Sequence, residues 1–480
     1  MTDAHGHLIG GEEIGAPADG EGQTVWNADE AAPLALAPDG DAEDVAAAVA
    51  SAGVAQREWW SQSPYGRERV LRRIGDLIER DADRLAELEA RNTGKTLANA
   101  RLDVEFAAEA FHFYSGHPTR AAGQQIPTPD QGLLCFTRLE PVGVVGAIAA
   151  WNYPVVLAAV KVAPALAAGC AVVLKPAPET PLTALELGRL ALEAGLPAGC
   201  LNVVCGGAET GAALAADPGV DKVSFTGSTA SGRAVLAQLA ATGRAGVLEL
   251  GGKSPNVVFA DADYAGSLDA ILMGALVNAG QECCAGARLL VQREIYEDFR
   301  ELAAARIESL RVGPGTDPTS EIGPLIGAGQ RERVSGFVER ALADGARVWA
   351  RGTAPEGGFF YPPTLLDRID ERMEVWREEV FGPVLCLDSF DGDDEALRKA
   401  NATRYGLAAG VWTADLGRAI RFVAELEAGT VWVNSYLEQA TGAPFGGGKD
   451  SGFGRELGDA GALEFSEVKT AYLRGIRPPS

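Results

Sequence analysis

One thiol in this chain sits where a covalent catalyst would hold it. Cys283 lies in Gly280-Gln281-Glu282-Cys283-Cys284-Ala285-Gly286, downstream of Glu249-Leu250-Gly251-Gly252 and of Trp151-Asn152-Tyr153-Pro154. A thiol can attack a carbonyl carbon. A side-chain amide can donate to the oxyanion that forms. A carboxylate can activate the water that releases the acyl group. Each group alone has a plainer reading: Cys283 as one more buried thiol, Glu249 as a paired carboxylate. A cysteine hydrolase would want a partner histidine. The four histidines are His5, His7, His112 and His117, all early in the chain. There is no HExxH and no CxxC pair, so no metal site is expected.

Two further segments could hold a phosphorylated ligand. Phe225-Thr226-Gly227-Ser228-Thr229-Ala230-Ser231-Gly232 follows an expected strand and opens an expected helix. Gly227 lets the backbone come close, and Ser228 with the first helical N–H groups could cradle a phosphate. An ordinary turn would look the same. Lys175-Pro176-Ala177-Pro178 ends another expected strand, where ligands of open α/β sheets bind. Gly94-Lys95-Thr96 resembles the end of a P-loop, but Glu89 stands where the first glycine is needed, so it reads as a helix-end loop.

The elements that must position these residues alternate. Strands are expected at 142–150, 171–174, 201–205 and 220–225, with helices at 155–168 and 183–194 between them. Earlier, Asp41-Ala42-Glu43-Asp44 opens a helix, and apolar spacing predicts another over 67–89. The second half repeats the style, with helices at 264–274, 296–310, 330–344 and 416–428 and strands at 384–390 and 431–434. This pattern predicts right-handed βαβ units and a doubly wound parallel sheet. The first forty residues, rich in Gly, Asp, Glu and Ala, read as loosely ordered. Residues 123–140 read as an extended excursion.

Bulk composition narrows the class. At 480 residues the chain needs two or three domains. Its formal net charge of -24 argues against a nucleic-acid partner. No apolar run of membrane-spanning length occurs, and no signal peptide is apparent at the N-terminus. Seven irregularly spaced cysteines suit reduced thiols in a cytoplasm.

Taken in order, these segments resemble the aldehyde dehydrogenase superfamily. The likeness continues through Glu379-Val380-Phe381-Gly382-Pro383, Asn434, and the run from Pro444 to Glu456. It implies a Rossmann-like NAD-binding domain (1–122 and 142–250), an α/β catalytic domain (251–465) and a small β oligomerisation arm (123–141 and 466–480). It also implies that Cys283 is the nucleophile, Asn152 the oxyanion donor and Glu249 the general base. Acylating relatives usually lack that base, so hydrolysis to the acid is implied. Cofactor contacts would be Trp151, Lys175, Gly227, Ser228, Leu250, Glu379 and Phe381. NAD is the expected cofactor. Pro178 stands where many NAD-preferring members carry a glutamate, so NADP use stays open.

The substrate pocket by resemblance comprises Tyr153, Val160, Leu276, Val277, Glu282, Tyr436, Glu438, Gln439 and Phe445. Val160 replaces a tryptophan of several members. Glu282, Glu438 and the two tyrosine rings could attract a cation, which favours an amino- or trimethylammonio-aldehyde. The alternatives are a semialdehyde or a general aliphatic or aromatic aldehyde. A reading from another class is a cofactor-independent thiol hydrolase. A homodimer or homotetramer is expected, built through the arm.

Overall fold

The computed structural model describes residues 3–18, 21–130 and 132–474. Parts of the expected first domain (1, 2, 19, 20) and arm (131 and 475–480) lie outside these residues.

Two large sheets dominate. The first has eight strands in the order Gly452–Phe453, Ala245–Glu249, Lys222–Thr226, Val144–Ile148, Ala171–Lys175, Leu201–Val203, His7–Ile9 and Glu12–Ile14. Its five inner strands, from Ala245–Glu249 to Leu201–Val203, run parallel. Val144–Ile148 and Ala171–Lys175 are buried at every residue. Sheets covered on both faces need such continuous apolar strands, which is why they were legible. From Val144–Ile148 the chain builds outward one way through Ala171–Lys175 and Leu201–Val203. It then crosses back to lay Lys222–Thr226 on the other side. That reversal opens a crevice at the carboxyl ends of Val144–Ile148 and Lys222–Thr226.

The second sheet has seven strands: Arg347–Arg351, Thr364–Asp367, Val384–Phe390, Arg288–Gln292, Pro255–Val258, Ala408–Trp412 and Thr430–Val433. All pair in parallel except the Arg347–Arg351 edge. Each sheet packs helices on its faces around its own apolar core. The excursion folds as Gln125–Ile126 and Leu133–Pro141, with Ser466–Arg474 antiparallel to the latter along nine paired residues. None of the described helices is long and apolar enough to cross a membrane.

Three local expectations need correction. The described residues among the first forty are not loose: His7–Ile9 and Glu12–Ile14 extend the first sheet, and Gln23–Asn27 pairs with Ala32–Ala37. His7 is buried, and its Nδ1 accepts from the Cys205 N–H at 3.1 Å. The polar composition marked tight turns, not disorder. The helix expected over 67–89 is two, Pro64–Arg80 and Ala82–Thr93. They break at Asp81, which leaves helical geometry while its carboxylate takes Arg80 and Arg84. The helix expected from Tyr264 starts at Leu268, because the Asp263 carboxylate accepts the Gly266 N–H and holds a turn first.

Candidate active site

The crevice of the first sheet continues toward the second as one cavity of about 810 Å³. Its walls include Trp151, Asn152, Tyr153, Lys175, Pro178, Glu179, Thr226 to Ser231, Glu249, Leu250, Gly251, Cys283, Glu379 and Phe381. Four of the loops concerned leave the carboxyl ends of parallel strands, which is why groups far apart in sequence converge.

The loop carrying Cys283 is held from both sides. Asn278, Ala279 and Gly280 take left-handed backbone angles (φ 51°, 54° and 70°), which turn the chain sharply after the Leu268–Leu276 helix. At Gly280 a Cβ would fall 2.2 Å from the Gly382 carbonyl oxygen, so only glycine fits. Gln281 then anchors the turn: its Oε1 accepts from the Ile326 N–H at 2.8 Å and its Nε2 donates to the Asn278 carbonyl at 3.0 Å. Gly252 lets the Glu249 loop reach this turn, since a Cβ there would lie 2.3 Å from the Cys283 carbonyl oxygen.

Cys283 is half-buried on the cavity wall, whereas Cys284 is fully buried. Both thiols donate to one oxygen, Glu282 Oε1, at 3.4 and 3.1 Å. The Cys283 thiol is pushed up to about 11: its hydrogen bond with Cys284 pulls the other way, but burial and the Glu282 and Glu379 charges outweigh it. Asn152 precedes the Pro154–Ala168 helix, and its Nδ2 donates to the Gln281 carbonyl at 3.1 Å. The Cys283 backbone N–H has no acceptor among the described residues.

Glu249 ends the Ala245–Glu249 strand, 3% exposed, and neither carboxylate oxygen has a well-formed hydrogen bond. Burial first, then the charge of Glu456, drives its pKa well above the usual carboxylate range; Lys161 and Arg455 oppose this. Beside it Lys161, fully buried, donates to Glu456 Oε1 at 2.5 Å and to Ser224 Oγ at 3.1 Å. Sequence reasoning passed over Lys161, although a lone cation in the apolar run from Val155 to Ala168 was a usable signal.

The cofactor-side residues form a second group. Ser228 caps the Thr229–Thr242 helix, accepting from the Ser231 N–H, and leaves the remaining helix-start N–H groups at the cavity. Lys175 Nζ donates to the Pro176 and Gly206 carbonyls at 2.8 and 2.6 Å. Burial chiefly brings its pKa down to about 8, with Glu179 among the charges opposing the shift. Glu379 Oε1 accepts from the Gly252 N–H at 3.0 Å, and burial lifts its pKa to about 7. Trp151 and Phe381 meet edge to face at 5.1 Å.

The expected substrate residues gather less well. Tyr153 lines the cavity, but Val160, Glu282, Tyr436, Glu438 and Phe445 do not. Tyr436 is buried against Gly274, Gly286 and Gly410, and its hydroxyl donates to the Cys284 carbonyl at 2.9 Å. Glu438 is exposed to solvent, and Val160 is buried within its helix. Phe445 is half-buried and packs on the second core. The Gly94-Lys95-Thr96 loop does close one helix and open the next. Yet buried Lys95 reaches Asp103 and stands 4.1 Å above the Tyr153 ring, with Glu89 at 3.8 Å. Leaving such a buried charge unpaired would cost about 3–5 kcal/mol, so this cluster is a fixed part of the wall behind Tyr153.

Known proteins match this arrangement along the whole chain. A sequence model described as "Aldehyde dehydrogenase family" matches residues 16–471. A protein named betaine aldehyde dehydrogenase from Bacillus subtilis (strain 168) is 40% identical over 98% of this chain and 97% of its own length. An aldehyde dehydrogenase of Enchytraeus buchholzi is 43% identical over 92% of this chain and 90% of its own. The NAD+ complex structure of an aldehyde dehydrogenase from Bacillus cereus superposes with a TM-score of 0.96 at 38% identity, covering 99% of this chain and 97% of that one. By the extent and identity of these matches, the chain belongs to the aldehyde dehydrogenase family.

Proposed function

We propose that this chain oxidises an aldehyde to the carboxylic acid with NAD+ and water, through a thioester on Cys283. The observation that carries this reading is that Cys283, Asn152 and Glu249 share one cavity with Lys175, Ser228 and Glu379. The thiol gives up its proton to solvent in the cavity as its sulfur attacks the aldehyde carbon. The Asn152 amide and the free Cys283 N–H donate to the developing oxyanion. Glu249 takes a proton from the water that cleaves the thioester. When bound, the nicotinamide accepts the hydride that leaves the substrate carbon.

The cavity fits a dinucleotide. The helix start at Ser228 supplies N–H donors for a pyrophosphate. Lys175 is the ribose-side cation, and the Glu379 carboxylate is available to a second ribose. Trp151, Gly227, Leu250 and Phe381 complete the walls. The B. cereus relative, solved with NAD+, supports the same cofactor.

For NAD over NADP we look to Glu179, not Pro178. Glu179 is an exposed carboxylate on the cavity wall, close enough to Lys175 to influence its charge. Two unit charges about 4 Å apart interact by about 1 kcal/mol in water and 4 at a protein surface. Glu179→Gln is therefore expected to lower the NAD/NADP ratio of kcat/KM by about 10-fold. Steady-state kinetics with both cofactors checks this, and an unchanged ratio discards the assignment.

For substrate, neutral aldehydes come first. Of the rings that could meet a cation, Tyr436 is enclosed, Tyr153 already faces the Lys95 ammonium, and position 160 is aliphatic. A cationic aldehyde is the second reading, supported by the name of the B. subtilis relative and by Glu282 beside Tyr153. The deciding experiment follows NADH formation with propionaldehyde, benzaldehyde, succinate semialdehyde, 4-aminobutyraldehyde and betaine aldehyde. We expect kcat/KM for the neutral aldehydes to exceed betaine aldehyde by about 10-fold or more, the worth of a missing pocket contact. The reverse order establishes the second reading. No turnover of any aldehyde with either cofactor overturns the proposed activity.

A further inference from the structure

The adjacent thiols and the carboxylate before them form a group whose chemistry the oxidation does not use up. Glu282 Oε1, Cys283 Sγ and Cys284 Sγ all lie within 4.8 Å of one another. The oxygen is 3.4 Å from one sulfur and 3.1 Å from the other. A tetrahedral cation with metal–sulfur bonds of about 2.3 Å and a metal–oxygen bond of about 2.1 Å needs sulfur–oxygen separations of about 3.6 Å. Both sulfur–oxygen separations thus lie within about 0.5 Å of that spacing. They are consecutive residues on a turn braced by Gln281 and the left-handed run before it, so little ordering remains to be done on binding. One donor, Cys283, opens onto the cavity, which gives an entry path and leaves a coordination position for water.

We propose that Cys283, Cys284 and Glu282 capture a thiophilic divalent cation, Zn2+ or Cd2+, and that this capture reversibly blocks the enzyme. The step is ligand exchange without redox: two S–H bonds are lost, two metal–thiolate bonds and one metal–carboxylate bond form, and two protons pass to solvent. The metal occupies the sulfur lone pair that would attack the aldehyde, so the block rests on Cys283 being the nucleophile. Thiolate sulfur selects Zn2+ and Cd2+ over Mg2+ and Ca2+, which prefer oxygen.

What separates this site from a single reactive thiol is Cys284, whose side chain is fully buried behind Cys283. The test titrates the full-length protein with CdCl2 in a thiol-free buffer. It reads three things: aldehyde oxidation, ultraviolet thiolate-to-cadmium absorption, and protons released per metal by calorimetry in buffers of different ionisation enthalpy. Wild type is expected to bind one Cd2+ with two protons released, lose activity, and recover it with EDTA. Mg2+ at the same concentration should do nothing. In Cys284→Ala the uninhibited kcat/KM should stay near wild type, while one proton is released and the inhibition constant rises at least 10-fold. Cys284→Ser, closer in size, gives the same comparison if the alanine variant folds poorly. Glu282→Gln should weaken binding while keeping two-proton release. Equal inhibition constants and one proton per metal in wild type and both Cys284 variants overturn the proposal. Two-thiolate binding that leaves activity intact would retain the site and instead remove Cys283 from the reaction.

Discussion

Cys283→Ala is expected to abolish aldehyde-dependent NADH formation, by about 10⁴-fold or more, as when the nucleophile of a covalent enzyme is removed. Cys284 cannot take over. Its sulfur is fully buried, and its carbonyl is fixed by the Tyr436 hydroxyl, so the neighbouring thiol cannot swing to the cavity. Binding of the dinucleotide should survive. Lys175, Ser228 and Glu379 reach the cavity from other loops, and each makes its own hydrogen bonds independently of the Cys283 sulfur. Fluorescence titration with NADH measures that binding, and a coupled assay measures turnover. Residual turnover above about a thousandth of wild type would mean that another group attacks the aldehyde.

The second large effect concerns release of the acyl group. Glu249→Gln keeps the shape of the side chain and removes its basicity. Steady-state turnover should fall by about 10²–10⁴-fold, the usual worth of a general base. The first turnover should persist, so rapid mixing is expected to show a burst near one NADH per Cys283, followed by a slow phase. The pH dependence has a definite sign. Burial first, then the charge of Glu456, hold the Glu249 pKa well above the ordinary carboxylate range, so its base form is reached only at higher pH than for a free carboxylate. The base form, which takes the proton from water, grows as pH rises toward that pKa. Deacylation in the wild type should therefore accelerate with rising pH, at pH values above the ordinary carboxylate range, and Glu249→Gln should lose that rise. An unchanged steady-state rate, or a fall with pH that is the same in both proteins, would remove Glu249 as the base.

The parts of this site that were legible in the sequence are those whose chemistry is written on consecutive residues. Asn152, Glu249 and Cys283 each sit in a short run with glycines or proline, and the strand that leads to Asn152, Val144–Ile148, is apolar throughout. What was not legible depends on residues brought together from afar. Tyr436 looked like a pocket ring, but Gly274, Gly286 and Gly410 enclose it from three separate elements. Glu438 looked like a cation lure, and the chain turns it to solvent. Lys95 reads as part of a helix-end loop in the sequence; its place above Tyr153 is set by Glu89 and Asp103. In the first forty residues composition misled for a related reason. Their polar residues form turns between short strands; of these, buried His7–Ile9 joins a sheet built mostly from later sequence, and Gln23–Asn27 pairs with Ala32–Ala37 in a small sheet of their own.

The two-residue strand Gly452–Phe453 pairs with Leu248 and Glu249, and the adjacent Ser451 carbonyl accepts the Leu250 N–H. A ribosome delivers these partners at very different times. From residue 249 until residue 452, the outer edge of the strand that carries Glu249 has no mate. At roughly 5–20 residues per second that interval is about 10–40 s. An unpaired edge is a template for other strands, including those of neighbouring nascent chains. The strand that presents the carboxylate is thus the last in its sheet to be sealed, and the hazard of misassembly during synthesis falls on the same few residues that carry the chemistry.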